Sequence, residues 1–313
     1  MTRKKLLITW GSRALTAIAI GFMVYGIFQY DFDFAMLTSP LVVIGLLFLS
    51  TILGLGVYLF AYNFRWLTQK LSGANINKNL IIRVYCATNM YKYLPVNVMQ
   101  YIGRGQIAIE SKGVKQTHVA LATLLENIFR GLAAVLIALF LGFNLADYVA
   151  LAFPSWTVFA GAIVTVAIVV AVIVIFRRRV NVGTMAILLG NSALRAASIS
   201  ATFVLTLMFL GQSFTFSLMI QVAALYALAW LVSILVVIVP GGIGVREGAL
   251  ILMLGGLVDE PILAAGIIIH RIIYTIGDVL AWLISLKCKI DLSENLDTLK
   301  TDDGPKIEIV EEK

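Results

Sequence analysis

The chain has only two cysteines and two histidines in 313 residues. Cys86 and Cys288 lie far apart in sequence with no C-x-x-C spacing, so neither a disulfide framework nor a zinc site is indicated. There is no H-x-x-x-H or D-x-x-D pattern and no evident nucleophile beside a base, so no metal and no cofactor is expected. Charge is also scarce: 13% of residues are Asp, Glu, Lys or Arg against 60% hydrophobic, and the mean hydropathy is +0.96. That balance excludes an ordinary soluble domain. The net charge of +7 does not point to nucleic acid, because the basic residues cluster between apolar runs, where the positive-inside rule expects them. The ten-residue alternation of barrel strands is missing as well, which leaves helices to cross the membrane.

What is present is a series of apolar runs near the 20 or so residues that cross a hydrocarbon core. Candidate spans fall at 13–30, 40–63, 116–141, 155–176, 184–210, 215–239 and 262–286; the stretches 80–110 and 241–258 are apolar but interrupted or short. Met1-Thr2-Arg3-Lys4-Lys5 has the charge order of a secretory signal. The apolar stretch that follows to Tyr30 is too long for an h-region and contains Arg13, so a retained signal-anchor helix with a cytoplasmic amino terminus is expected. Arg65, Lys70, Lys78 and Arg83, then Lys112 and Lys115, then Arg177-Arg178-Arg179 all fall on the cytoplasmic side only if residues 84–110 enter and leave by one face, as a re-entrant helical hairpin. If the second interrupted stretch is re-entrant too, the last span runs outward, whereas Lys287 and Lys289 favour a cytoplasmic end for it. Residues 289–313 read as a solvated, disordered tail.

The two interruptions match. Lys92-Tyr93-Leu94-Pro95 leads to Tyr101-Ile102-Gly103-Arg104, and the second break is Pro240-Gly241-Gly242-Ile243-Gly244-Val245-Arg246-Glu247-Gly248. Glu126 lies 31 positions beyond Pro95, and Arg271 lies 31 beyond Pro240. Equal spacing predicts a duplicated module, and broken helices in corresponding halves point to a transport site between them. Pro240 ends the preceding helix, while Gly241, Gly242 and Gly244 permit left-handed backbone, so a half-helix with free amide groups is expected from residue 245. Such an end attracts phosphate.

Ionisable residues at bilayer depth are costly and are functional candidates by default. Glu126 and Arg130 are four apart and share a helix face, beside Asn127; Asn191 and Arg195 repeat the separation. Arg271, Tyr274 and Asp278 share a face at offsets of three and seven, next to His270. Taken singly, Asn127, Asn191 and His270 are equally read as glue between helices. Arg104, Arg130, Arg195, Arg246 and Arg271 against Glu110, Glu126, Glu247 and Asp278 make a cluster with one positive charge in excess. Guanidinium groups fork onto phosphate oxygens, so the cluster suits an anion with a hydrophobic body, a phospholipid or lipid-linked phosphate.

The two break motifs, with Glu126 and Arg271, closely resemble the lysylphosphatidylglycerol synthase transmembrane-region family, the flippase-like half of bacterial multiple-peptide-resistance proteins, over about residues 10–288. Val96 stands where that family usually has glycine, and Asn127 where it commonly has arginine. The resemblance implies a flippase-like cell-membrane domain over 1–288, with module one at about 40–141 and module two at about 184–286. The implied partners are an anionic or phosphate-bearing membrane lipid and a separate lipid-modifying or glycosyl-transferring enzyme. No stretch beyond residue 288 matches the size of the aminoacyl-transferase domain of bifunctional members, so lysyl transfer is not expected.

The expectation is an all-α polytopic integral membrane protein with seven or eight transmembrane helices and two re-entrant hairpins. Three functions compete: a lipid translocase, a secondary transporter of a small solute with Glu126 or Asp278 carrying protons, and a membrane-embedded lipid-modifying enzyme, for which no catalytic motif is seen. A site open sideways to lipid, rather than to water, separates the first from the second.

Overall fold

The computed structural model describes residues 39–93, 99–141, 180–235 and 244–288, with isolated positions at 167, 171 and 174. The expected span at 13–30, that at 155–176 apart from those three positions, residues 94–98, the residues Pro240, Gly241 and Gly242, and residues 289–313 lie outside the described residues.

The described chain is all helical, with no sheet. In order, the elements are α1 (Pro40–Ser72), α2 (Lys78–Met90) followed by a 3-10 turn (Tyr91–Tyr93), α3 (Met99–Gly103), α4 (Gln106–Glu110), α5 (Gln116–Leu141), α6 (Val182–Phe209), α7 (Phe216–Leu235), α8 (Val245–Leu254) and α9 (Glu260–Ser285). Five of them, α1, α5, α6, α7 and α9, are long and apolar enough to cross a membrane, which makes this a multi-pass membrane protein. They coincide with five of the seven expected spans.

Local chemistry sets the boundaries. Pro40 starts α1, where its missing N–H is no loss. The helix runs on to Ser72, nine residues past the expected end at 63. It stops at Gly73, whose φ of 72° is left-handed and whose N–H bonds the Gln69 carbonyl. The polar residues of 64–72 do not end the helix because its inner face continues through Phe64, Leu67 and Leu71 into the core. Asn77 caps α2 by accepting from the N–H groups of Asn79 and Leu80, and Asn181 caps α6 through Thr184.

The apolar residues point both ways, as a lipid solvent requires. On α1, Ile44, Leu47, Phe48 and Leu55 are exposed while Leu49, Leu53 and Val57 are buried, and polar Ser50, Asn63 and Thr68 are buried with them. In water the first group would be an unexplained apolar stripe; in a bilayer it is the lipid face. The buried residues form two clusters, one around the second half of α1 with α2, α4 and the start of α5, the other around α6, α7, α8 and α9 with Leu49 and Leu53 of α1.

α1 and α9 lie in backbone contact. A Cβ on Gly54 would stand 2.7 Å from the Gly277 carbonyl oxygen, and one on Gly277 would stand 2.6 Å from the Ser50 carbonyl oxygen. Small residues at a crossing let membrane helices approach this closely. Tyr58 adds a hydrogen bond from its hydroxyl to the Ala281 carbonyl at 2.8 Å. This contact fixes the face of α9 that carries Arg271, Tyr274 and Asp278.

The elements around the two breaks are short. At 1.5 Å per residue α2 is about 20 Å long and α8 about 15 Å, below the roughly 30 Å of hydrocarbon.

Candidate functional site

Between the two clusters lies a cavity of about 120 Å³. Its cationic wall is Lys92, Arg130, Arg195, Arg246 and Arg271, and Asp278 is the carboxylate facing them. Tyr85, Tyr93, Tyr101, Tyr274 and Trp230 complete much of the lining. The residues converge from the 3-10 turn and from α1, α2, α3, α5, α6, α7, α8 and α9, so the cavity is a product of the whole fold.

Three carboxylates organise the cations. Glu126 on α5 is held between two arginines: Arg104 Nη1 is 2.6 Å from Oε2 and Arg130 Nη2 is 2.5 Å from Oε1. The Tyr85 hydroxyl also donates to Glu126, and it accepts from Arg130. Arg104, just past α3, is buried with its guanidinium 4.2 Å from the Tyr85 ring centroid and 5.0 Å from that of Phe64, a cation–π seat that replaces part of the lost hydration. Arg104 and Glu126 thus stand behind the wall and hold Arg130 in it.

Glu247 plays the same part in the second half. It accepts from Arg271 on α9, lies 3.4 Å from Arg246 Nη2, and takes the Gly244 N–H at 2.7 Å. Gly244 sits at φ 85°, the left-handed conformation that favours glycine. A glutamate at the third helical position reaching back to the residue before the helix is half of a capping box. The helix begins at Val245, as the glycines predict, and the Gly244 N–H just before it is engaged by Glu247.

Among the described residues Asp278 pairs with a lysine and with no arginine. Lys92 Nζ is 2.6 Å away, Asn89 donates at 2.8 Å, and the Tyr93 hydroxyl donates at 2.5 Å. The Lys92 ammonium also lies 4.5 Å from the Tyr274 ring centroid. These contacts fasten the end of α2, at the edge of the first break, to α9.

Arg195 differs from the other four arginines. It is buried, its Nη1 donates to the Leu53 carbonyl at 2.7 Å, and among the described residues no carboxylate lies within ion-pair distance of it; its Nε, like those of Arg104 and Arg130, has no hydrogen-bond partner among them. Gly56 makes room for it: a Cβ there would stand 2.1 Å from Arg195 Nη1.

The sequence-derived set is therefore largely one constellation. Arg130, Arg195, Arg246, Arg271, Tyr274 and Asp278 line the cavity, Arg104, Glu126, Glu247 and Gly244 support it from behind, and Pro240, Gly241 and Gly242 lie outside the described residues. Glu110 is not among the lining residues; its carboxylate accepts from Gln106 in its own helix. Asn191 bonds Asn63 at 2.9 Å, and His270 sits between Thr202 and Tyr226, so both join helices rather than line the cavity. Asn127 does line it. Sequence reasoning missed Lys92 and Asn89 as site residues, and with them Tyr85, Tyr93 and Tyr101. Lys92 was legible, as a lysine inside an apolar stretch three residues before Pro95.

The charge count changes accordingly. Lys92, Arg104, Arg130, Arg195, Arg246 and Arg271 face Glu126, Glu247 and Asp278, six positive against three negative. Fold and site define a helical multi-pass membrane protein with a strongly cationic buried cavity. No protein-family model matches the chain, and no curated protein matches it.

Proposed function

We propose that this chain is a membrane lipid translocase whose cavity receives the phosphate of a phospholipid or lipid-linked phosphate while the hydrocarbon chains stay in the bilayer. The observation that carries the reading is Arg195, a buried guanidinium without a carboxylate among the described residues, set in a wall with four further cations. Removing an unpaired charge from water costs several kcal/mol, and an arriving anion offsets that cost. Forked guanidinium donors suit phosphate oxygens.

Size supports a headgroup. The cavity of about 120 Å³ is smaller than the roughly 300–1,000 Å³ that encloses a whole drug-sized ligand. In this reading α2 with α3 and α4 belongs to one re-entrant hairpin and α8 to a second, the two halves of a duplicated module, because none of these helices is long enough to span. Each hairpin brings an arginine, Arg104 or Arg246, against a glutamate and an arginine held with it. Tilting of one module against the other then exposes the cavity to either leaflet, as in transporters built on broken helices.

Exchange of labelled phospholipids in vesicles tests this. The protein accelerates transbilayer exchange, and Arg246→Lys and Arg271→Gln abolish it by removing fork or charge, a loss on the order of 2–5 kcal/mol in a desolvated site. Lys112→Gln, at an exposed loop position, leaves the rate unchanged. Uptake of free radiolabelled phosphate without lipid exchange would decide for a solute transporter. Unmodified exchange by both arginine variants would make the arginines structural partners of Glu247 only.

A further inference from the structure

The imbalance of charge in the cavity says more about the anion than that it is negative. We propose that the site is built for a terminal phosphate carrying two or more negative charges, a phosphomonoester or diphosphate, rather than for the singly charged phosphodiester of an ordinary glycerophospholipid. This rests on the anion-site reading above and names the class of headgroup.

Each carboxylate is already shared. Glu126 serves both Arg104 and Arg130, Glu247 serves both Arg246 and Arg271, and Asp278 is taken by Lys92. Arg195 has none among the described residues. Three guanidinium charges are thus left without a carboxylate of their own: one from the α3 and α5 pair, one from α6, and one from the α8 and α9 pair. They approach the cavity from different helices. One negative charge leaves two of them unmatched, whereas a phosphomonoester brings about 1.5 to 2 and a diphosphate more.

Oxygen count agrees with charge. A terminal phosphate presents three strong acceptor oxygens, while a phosphodiester spends two of its four oxygens on ester links. Donors from three places in the fold line the cavity, Arg130 on α5, Arg195 on α6 and the Arg246 and Arg271 pair on α8 and α9, and match three oxygens in number. The long contact of Arg246 to Glu247, 3.4 Å against 2.5 Å for Arg130 to Glu126, marks Arg246 as the paired arginine freest to turn to a ligand.

The test uses the full chain in detergent, with calorimetric titration of dihexanoyl phosphatidate, dihexanoyl phosphatidylglycerol, inorganic phosphate and inorganic pyrophosphate. Phosphatidate is expected to bind about tenfold or more tighter than phosphatidylglycerol, a gap of one or two charge-assisted bonds. Arg195→Gln should shrink that ratio. Arg195→Lys, which keeps the charge and loses the fork, should weaken both lipids and retain the preference, and it serves if the glutamine variant is not recovered folded. Equal binding of the two lipids, tighter phosphatidylglycerol, or no binding of any probe overturns the proposal. Inorganic phosphate or pyrophosphate binding as tightly as phosphatidate supports it and shows that the lipid body contributes nothing. A phosphatidate preference without vesicle exchange defeats the translocase reading alone. Vesicle exchange of phosphatidylglycerol as fast as phosphatidate defeats this proposal alone.

Discussion

Replacing Glu126 and replacing Arg195, both by glutamine, should move stability in opposite ways. Glu126 holds two guanidinium groups, Arg104 at 2.6 Å and Arg130 at 2.5 Å, and the side chains of Arg104 and Glu126 are only 1% and 2% exposed. Glu126→Gln leaves both cations in place without their carboxylate. Breaking a buried pair from one side costs about 3–5 kcal/mol, and at roughly 2–4 °C per kcal/mol for a domain of this order the melting point should fall by about 6–20 °C. Arg195→Gln instead removes a charge that has no counter-charge among the described residues. It gives up the bond to the Leu53 carbonyl, worth about 1.5–3 kcal/mol as a charged hydrogen bond. It also relieves a desolvation penalty of several kcal/mol. The net expectation is a melting point unchanged or raised, together with loss of lipid exchange. Heating in detergent followed by size-exclusion chromatography with tryptophan detection reads both variants. If Arg195→Gln melts as low as Glu126→Gln, Arg195 is charge-compensated in the native protein, and the observation that carries the proposed function is gone.

The fold was legible in the sequence because lipid demands continuous apolar helices, and their period and length survive without tertiary information. The end of α1 was not, since Arg65, Gln69 and Lys70 look like a loop until α2 and α4 supply a core for the other face of the helix. The duplicated spacing brought Glu126 and Arg271 to notice, and the α9 offsets grouped Arg271, Tyr274 and Asp278, all three of which line the cavity. Sequence spacing could not assign the partners. Asp278 lies seven residues from Arg271 on one face, yet α2 delivers Lys92 to it from 186 positions away, and only the packing of α2 against α9 decides that. Glu110 shows the converse: a glutamate near the first break, close in sequence to the cluster, belongs to a short helix that keeps it off the cavity wall. Arg195 was found as a charge at depth, but its lack of a carboxylate is a property of three-dimensional neighbours.

Two glycines separate packing from binding. Gly56→Ala puts a Cβ 2.1 Å from Nη1 and 2.7 Å from Cδ of Arg195, a side chain that must swing away, so it should lower phosphatidate affinity and cost less in melting than a clash with backbone. Gly277→Ala puts a Cβ 2.6 Å from the Ser50 carbonyl, which is backbone, and should destabilise by about 1–3 kcal/mol; the reverse ranking in the melting assay would refute the α1–α9 contact. The last prediction concerns the fastening at the first break, read by a double-mutant cycle of Lys92→Met and Asp278→Asn. Asp278 without Lys92 is a carboxylate 1% exposed that keeps only Asn89 and Tyr93 as donors. Lys92 without Asp278 is 14% exposed and keeps the Tyr274 and Tyr93 rings at 4.5 and 5.2 Å, contacts worth about 0.5–2 kcal/mol. Lys92→Met should therefore destabilise more than Asp278→Asn, and the double variant should recover part of the loss, with a coupling of about 1–3 kcal/mol. Additivity of the two within about 0.5 kcal/mol would mean that the pair does not fasten α2 to α9, and that the first break is held to the cavity by the Arg104 and Glu126 pair alone.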